Sequence, residues 1–177
     1  MNSAVDSFNQ CLDEIYLKLN QQEAARVTRM QEIMPPLGNI LRQITQHEWA
    51  EPFMKPVDVI GLGLHDYYQV IEKPMDFSTM KTKMEARDGT GYKNILEFCA
   101  DVRLIFNNTI KYNDERDDVH IMANFLLNKF EEKWSQISPK VDEEEKRRRD
   151  EEFEMQYHII QLAQEAAHVK MARDLTF

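Results

Sequence analysis

Apolar positions recur with helical spacing at both ends of this chain and lose that spacing in a stretch between residues 49 and 74. An amphipathic helix is predicted over residues 3–24, where the apolar residues alternate three- and four-residue steps as in a heptad seam. The residues of this seam are Val5, Phe8, Leu12, Ile15 and Leu19. Two heptads are a short seam, so the helix either lies on the main domain or dimerises as a coiled coil.

A second helix is predicted over residues 26–46, with an apolar face that includes Ile33, Leu37, Ile40, Leu41 and Ile44. Two adjacent prolines, Pro35 and Pro36, interrupt it and predict a kink or a restart. The segment 49–74 is rich in Pro and Gly and is predicted to be a long functional loop.

Three further helices are predicted over residues 78–87, 93–111 and 114–134. No alternating strand pattern is visible, so the predicted fold is all-α. Four principal helices with a long loop between the first two indicate an antiparallel bundle with helical extensions at both ends.

The predicted organisation has three parts: an amphipathic or coiled-coil helix over 1–25, the bundle over 26–137, and a charged helical extension over 138–177. Ser138-Pro139 marks the second boundary, and residues 142–154 are nearly all charged. The triplet Arg147-Arg148-Arg149 fits either a localisation signal or a helix face of i,i+4 ion pairs, and its acidic neighbours favour the ion pairs.

Composition narrows the class of protein. The 177 residues carry a net charge of -9, which argues against a broad basic face for nucleic acid. Two separated cysteines, without metal-ligand spacing, indicate a reducing compartment and no zinc site. No leader segment or uncharged apolar run of membrane-spanning length is visible, so we expect a soluble intracellular protein.

Several short motifs occur in a fixed order across residues 27–137: Pro52-Phe53, Pro56-Val57-Asp58, Asp66-Tyr67-Tyr68, Pro74-Met75-Asp76 and Tyr112-Asn113. In this order and spacing they resemble a bromodomain of the BET type, and the loop and charged extension resemble the plant global transcription factor group E proteins. The resemblance implies a left-handed four-helix bundle that binds acetyl-lysine in histone tails.

The resemblance also implies a role for each site residue. Asn113 would donate its amide to the acetyl carbonyl, and the Tyr67 hydroxyl would hold a water that donates to the same oxygen. Apolar side chains would cover the lysine stem and exclude other water. Val57, Leu62 and Leu64 would form one wall, Tyr112 and Val119 the other, Phe53 the floor for the methyl group, and Pro52 its partner in the Pro-Phe pair.

Two positions depart from the family pattern. Glu51 stands where the BET shelf has a Trp directly before the Pro-Phe pair, and the nearest Trp is Trp49. His65 stands where Pro commonly precedes the Asp-Tyr-Tyr run. Acidic residues surround the predicted mouth and would either attract basic residues beside the acetyl-lysine or only solvate the loop. These residues are Glu51, Asp58, Asp66, Asp114, Glu115, Asp117 and Asp118.

Each candidate also has a plainer interpretation. Asn113-Asp114 alone would fit a helix stop, and Asn108 fits a structural role in bonding loop backbone. Leu62, Leu64 and Val119 would also fit ordinary core positions. The five histidines lack metal-ligand spacing and are predicted to be surface residues.

The sequence therefore predicts a non-catalytic reader of acetylated histone tails, of the H4 or H3 kind, or of other acetylated nuclear proteins. It would act in the nucleus as a chromatin and transcription regulator, without a cofactor, a metal, or direct contact with nucleic acid or membrane. A homodimer through the N-terminal helix is a further expected partner. The alternative is a helical scaffold whose end helices bind proteins without acetyl dependence.

Overall fold

The computed structural model describes residues 3–176, so Met1, Asn2 and Phe177, at the ends of the predicted first and last segments, lie outside it. Helices are the only regular elements in this range, which confirms the all-α prediction. The elements are α1 (Ser3–Thr45), a 3₁₀ helix (Glu48–Phe53), α2 (Tyr67–Val70), α3 (Phe77–Glu85), α4 (Ile95–Tyr112) and α5 (Asp118–Asp174).

The chain forms two compact units: a bundle unit, residues 36–138, and a hairpin unit, made of residues 1–35 and 139–177. Residues of α1 and α5 occur in both units. The boundaries that were predicted from sequence, at residues 25 and 137, stay a prediction about how the protein divides into domains.

The bundle unit is built around side chains that are almost completely removed from water. Its most deeply buried residues are Leu37, Ile44, Ile71, Cys99, Val102, Ile105, Phe106, Leu126 and Phe130. Side-chain caps fix where its two middle helices begin: the Asp76 carboxylate accepts from Thr79 N at the start of α3, and Asn94 Oδ1 accepts from Glu97 N at the start of α4.

The two long helices differ from the sequence prediction. A single helix, α1, replaces the two helices predicted over 3–24 and 26–46, and it continues through Pro35 and Pro36. Ile33 and Leu37, on either side of the prolines, are both buried, and this burial offsets the backbone hydrogen bonds that the prolines remove. Helix α5 likewise continues through Pro139.

The hairpin unit combines polar contacts between its two helical segments with a small buried apolar set, Ile33, Val141 and Met155. Arg29 donates two hydrogen bonds to the Glu151 carboxylate, at 3.1 and 3.3 Å, and its Nε lies 3.1 Å from Glu144 Oε2. Gln22 Nε2 donates to the Glu151 carbonyl at 3.3 Å. The apolar residues of the predicted seam remain partly exposed to solvent: Val5 is 37% exposed and Leu12 is 47% exposed.

The charged stretch of α5 is a face of ion pairs. Arg147 pairs with Glu144 at 3.4 Å, and Arg148 pairs with both Glu145 and Glu152. Their spacings of three and four residues are those of neighbours on one helix surface, which is the interpretation that the sequence favoured.

Candidate functional site

The long loop between α1 and α3 turns tightly at Gly61 and Gly63. The Asp58 carboxylate accepts from Gly61 N at 2.9 Å, and a Cβ at residue 61 would lie 2.1 Å from Asp58 Oδ2. Gly63 has a φ of 66°, which favours glycine. Leu62 N donates to the Asp58 carbonyl in the same turn, so these residues set the path of the segment that carries the predicted apolar wall.

The predicted wall residues of this loop are half-buried or exposed. Val57 and Leu64 are half-buried, whereas Leu62 is 66% exposed and is therefore no ordinary core residue. The Leu64 carbonyl accepts from Tyr67 N at 3.2 Å, which joins the loop to the start of α2. The described contacts do not join Val57 or Leu62 to Asn113.

Tyr67, the predicted holder of a water, is the first residue of α2 and is buried. Its ring packs edge-on against Tyr112 with centroids 5.0 Å apart, and against Tyr68 at 5.6 Å. Burial raises the pKa of the Tyr67 hydroxyl, with a smaller contribution from Tyr68, so this group stays protonated at neutral pH. A protonated hydroxyl can donate to a water or accept from one.

Phe53, the predicted floor, ends the 3₁₀ helix and is buried. Its ring packs edge-on against Phe106 of α4 at 5.2 Å, and Phe106 also contacts Phe77 of α3 at 5.9 Å. The preceding Pro52 is exposed. Phe53 is therefore held by the core of the bundle unit while Pro52 faces solvent.

Asn113, the predicted donor, caps the C-terminal end of α4 and is half-buried. Its backbone N–H and its Nδ2 both donate to the Thr109 carbonyl, each at 3.0 Å. The side-chain bond uses one of the two amide hydrogens, because an Asn amide carries two. Asn113 thus does end a helix, as the plainer interpretation held, and it keeps a donor that its own helix does not use.

The second predicted wall combines the end of α4 with the start of α5. Tyr112 packs on Tyr67, and its hydroxyl donates to Asp66 Oδ1 at 2.7 Å. This bond is the main reason that the pKa of the Tyr112 hydroxyl is raised. Val119 is half-buried in the first turn of α5.

Two buried polar residues of α4, Asp101 and Asn108, bind other segments of the bundle unit. Asn108 is buried and donates to the Lys73 carbonyl at 2.8 Å, so its predicted structural role is confirmed. The buried Asp101 accepts from Lys83 at 3.0 Å and from the Tyr92 hydroxyl at 2.7 Å. The bond of Asn108 fixes the end of the long loop to α4, and the bonds of Asp101 join α4 to α3 and to the segment between these two helices.

The surface beside the Pro-Phe pair differs from the BET shelf, as the sequence indicated. Trp49 packs edge-on against Phe125 at 5.0 Å and lies 5.6 Å from the His47 ring. Glu51, at the position of the shelf Trp, is exposed. A carboxylate thus stands where the BET resemblance implies an aromatic ring.

All seven acidic residues predicted around the mouth are exposed, and several of them shape turns. Asp58 caps the loop, Asp66 binds Tyr112, and Asp117 Oδ2 accepts from Asp114 N at 3.1 Å. Asp114 in turn accepts from Arg116 N. A local structural role therefore accounts for these four, whereas Glu51, Glu115 and Asp118 are the better candidates for contact with a basic ligand.

Three of the five histidines are half-buried, His47, His120 and His158, and the other two, His65 and His168, are exposed. His47 is half-buried, and its Nδ1 accepts from Trp49 N at 3.0 Å at the start of the 3₁₀ helix. His120 is half-buried, and its Nδ1 lies 2.9 Å from the Asn113 carbonyl oxygen. Sequence reasoning missed this second contact because it joins two helices across a turn and follows no spacing rule.

Among the described residues, no group of three or more His, Cys, Asp or Glu side chains is arranged to hold a metal ion. No helix in the described part combines the length and the apolar character that a membrane crossing requires.

Comparison with known proteins gives consistent matches. The family model described as Bromodomain matches residues 37–124. Transcription factor GTE6 of Arabidopsis thaliana is 60% identical over 131 residues, which cover 71% of this chain and 36% of the relative. Transcription factor GTE1 of the same plant is 55% identical over 145 residues, 82% of this chain and 36% of the relative.

A third relative, the Arabidopsis protein named Transcription factor GTE3, chloroplastic, is 47% identical over 103 residues, 58% of this chain and 22% of the relative. This chain thus spans about a third of the length of the first two relatives, at 36% of each.

Proposed function

Because this chain belongs to the bromodomain family, and is of the group E, BET-like kind, we propose that it reads acetyl-lysine in histone tails as a regulator of chromatin and transcription. One observation carries the proposal: Asn113 stands at the end of α4 with a spare amide hydrogen, next to the residue on which Tyr67 packs. A donor beside a buried, protonated hydroxyl suits a neutral amide carbonyl.

The chemistry of the surroundings favours the acetylated side chain over the free one. Phe53 and Tyr67 are buried aromatic rings, and an unmodified lysine would bring an ammonium group against them. Removing that charge from water costs several kcal/mol, or roughly a hundredfold or more in affinity. The acetyl group removes the charge and adds the carbonyl that Asn113 would bind.

Histone tails are the proposed source of the acetyl-lysine because they are basic and the mouth is acidic. Glu51, Glu115 and Asp118 are exposed and would attract lysines and arginines beside the acetylated position. The net charge of -9 adds a long-range attraction for a basic peptide. Raising the salt concentration should therefore slow association more than it changes the acetyl preference.

The proposed site is tested by Asn113→Ala with Asn107→Ala as a matched control, since Asn107 lies on the same helix and is exposed. We expect Asn113→Ala to abolish calorimetric binding of a multiply acetylated H4 tail peptide, because the carbonyl loses its direct donor. Asn107→Ala should bind as the wild type does. Equal binding by all three proteins would contradict the site.

Tyr67→Phe tests the water-mediated contact of the Tyr67 hydroxyl separately from the direct contact of Asn113. It keeps the ring that packs on Tyr112 and removes only the hydroxyl. We expect a loss of affinity of about tenfold or less, smaller than that of Asn113→Ala. A loss as complete as that of Asn113→Ala would mean that Tyr67 does more than hold a water.

We propose nuclear action without catalysis, on the ground that the relatives are named transcription factors. The name of the third relative includes the word chloroplastic, which offers a different compartment for that protein. Fluorescence microscopy of the tagged full-length protein in plant cells tests the proposal. Exclusive chloroplast signal would contradict it.

A second candidate function, protein assembly through the end helices, is supported by the incomplete cover of the α1 seam. Phe8 and Leu19 are 45% and 44% exposed although they occupy seam positions. A second copy of the chain would cover them and give two reader sites in one particle. Sedimentation equilibrium tests this, and a monomer at high micromolar concentration would contradict it.

A further inference from the structure

His120 makes the one described contact that reaches Asn113 from another helix. Its Nδ1 lies 2.9 Å from the Asn113 carbonyl oxygen, across the turn of residues 114–117. A helix leaves its last carbonyl groups without partners inside the helix, and Asn113 is the cap residue of α4. The imidazole thus supplies a partner at the residue that carries the proposed donor.

The identity of the acceptor fixes the proton on the ring. A carbonyl oxygen can only accept, so Nδ1 of His120 must be the donor of this bond. In the neutral ring the proton therefore sits on Nδ1, and Nε2 is left as an acceptor.

With His120 included, Asn113 is held at three atoms. Its backbone N–H and Nδ2 donate to the Thr109 carbonyl, and its own carbonyl accepts from His120. The first two bonds orient the amide relative to α4, and the third fixes the peptide plane that follows it. A donor that is already oriented loses less entropy when a ligand binds.

We infer that His120 is a positioning residue for acetyl-lysine recognition, which keeps the Asn113 amide aimed at the ligand carbonyl without touching the ligand. This inference rests on the proposed function for its effect on affinity, but its structural half concerns the ligand-free protein. Loss of the bond should lower affinity for an acetylated peptide while the bundle stays folded.

Three variants at position 120 separate positioning from simple helix capping. His120→Asn keeps an N–H at the place of Nδ1, His120→Gln moves it one atom further out, and His120→Leu removes it. We expect His120→Leu to weaken calorimetric binding of a multiply acetylated H4 tail peptide by up to about tenfold, because an Asn113 amide that is no longer held in place loses more entropy when the peptide binds. His120→Asn should recover most of that loss, and His120→Gln should recover little.

A second measurement tests the positioning of Asn113 without any peptide. The side-chain NH₂ resonances of Asn113, observed by ¹H–¹⁵N NMR in the ligand-free protein, should shift in His120→Leu and return towards their wild-type positions in His120→Asn. Thermal unfolding of each variant reports whether the fold is kept. If His120→Leu does not fold, the comparison of His120→Asn with His120→Gln still decides the point.

Unchanged Asn113 resonances and unchanged peptide affinity in a folded His120→Leu would overturn the inference. Equal affinity losses in the Asn and Leu variants would overturn it as well, because a donor at the place of Nδ1 would then have no effect. A wild-type protein that binds no acetylated peptide would contradict the proposed function instead, and the NMR comparison would still decide whether His120 positions Asn113.

Discussion

The bundle unit and the hairpin unit draw on the same two long helices but cover their apolar side chains differently. In the bundle unit Leu37 and Ile44 of α1 are fully buried, whereas in the hairpin unit Val5 and Leu12 of α1 remain 37% and 47% exposed. The bundle surrounds its helices with aromatic rings and the long loop, whereas the hairpin combines a few buried apolar residues, Ile33, Val141 and Met155, with the ion pairs of Arg29.

The difference in packing fits the two roles proposed for the chain. A binding site needs side chains held in fixed positions, and in the bundle unit Phe53 and Tyr67 are held by rings of neighbouring elements. The hairpin leaves apolar surface and charged faces open, as suits a segment that meets another protein. Rigidity therefore belongs with the proposed reader site and accessibility with the extensions.

The two cysteines give the largest expected contrast. Cys99 is fully buried in the bundle, and burial raises its pKa to about 12, whereas Cys11 is half-buried in the hairpin. At pH 8 we expect a thiol-specific disulfide reagent to label Cys99 at least about a thousandfold more slowly than Cys11, because Cys99 reacts only when the bundle opens.

The variant Cys11→Ser isolates the labelling of Cys99, since the chain has two cysteines. Addition of urea to this variant should raise the labelling rate of Cys99 to that of an exposed thiol. Similar labelling rates for the two native cysteines would break the comparison, because the bundle would then open as readily as the hairpin.

Removing one phenylalanine from each unit tests the difference in packing. Phe106→Ala deletes a fully buried ring that contacts Phe53 and Phe77, and should lower the free energy of unfolding by about 3–5 kcal/mol. Phe153→Ala, at a residue that is 73% exposed in the hairpin, should change it by less than about 0.5 kcal/mol. Urea unfolding followed by far-ultraviolet circular dichroism, which reports the helices of both units, measures both variants, and equal losses would contradict the account.

Arg29→Ala gives the smallest effect and concerns the hairpin alone. The variant leaves Glu144 and Glu151 without their shared cation, and we expect a cost of about 1 kcal/mol because all three groups keep some contact with water. Arg26→Ala is the matched control, since its pair with Glu23 is exposed, and should cost about 0.3 kcal/mol.

Hydrogen exchange of peptides from residues 139–160 reports the effect of Arg29→Ala directly. Exchange there should accelerate in Arg29→Ala and stay near wild type in Arg26→Ala, while peptides from α4 should not change in either variant. Equal acceleration in both would mean that the contacts of Arg29 do not hold the hairpin.

Local signals explain what the sequence could predict. The side chains of Asp76 and Asn94 cap α3 and α4. These helices begin at Phe77 and Ile95, within about two residues of the starts that were predicted from sequence. The site motifs lie in one loop and at one helix end, so their order along the chain was enough to nominate Asn113 and Tyr67.

The parts that sequence reasoning missed depend on contacts between distant residues. Pro35 and Pro36 predict a break by local rules, and burial on either side of them overrides those rules. The short helix α2 lacks the length for a periodic signal. The contact of His120 with Asn113 depends on the turn between α4 and α5, which no spacing pattern specifies.

Calorimetric titration of the wild-type chain with a multiply acetylated H4 tail peptide and with its unmodified twin, at physiological salt, tests the central claim most directly. We predict binding of the acetylated peptide with an affinity at least about a hundredfold above that of its twin, because the unmodified lysine must lose its hydration in the site. Equal affinity for the two peptides would contradict the account, because the acidic surface alone would then attract a basic chain.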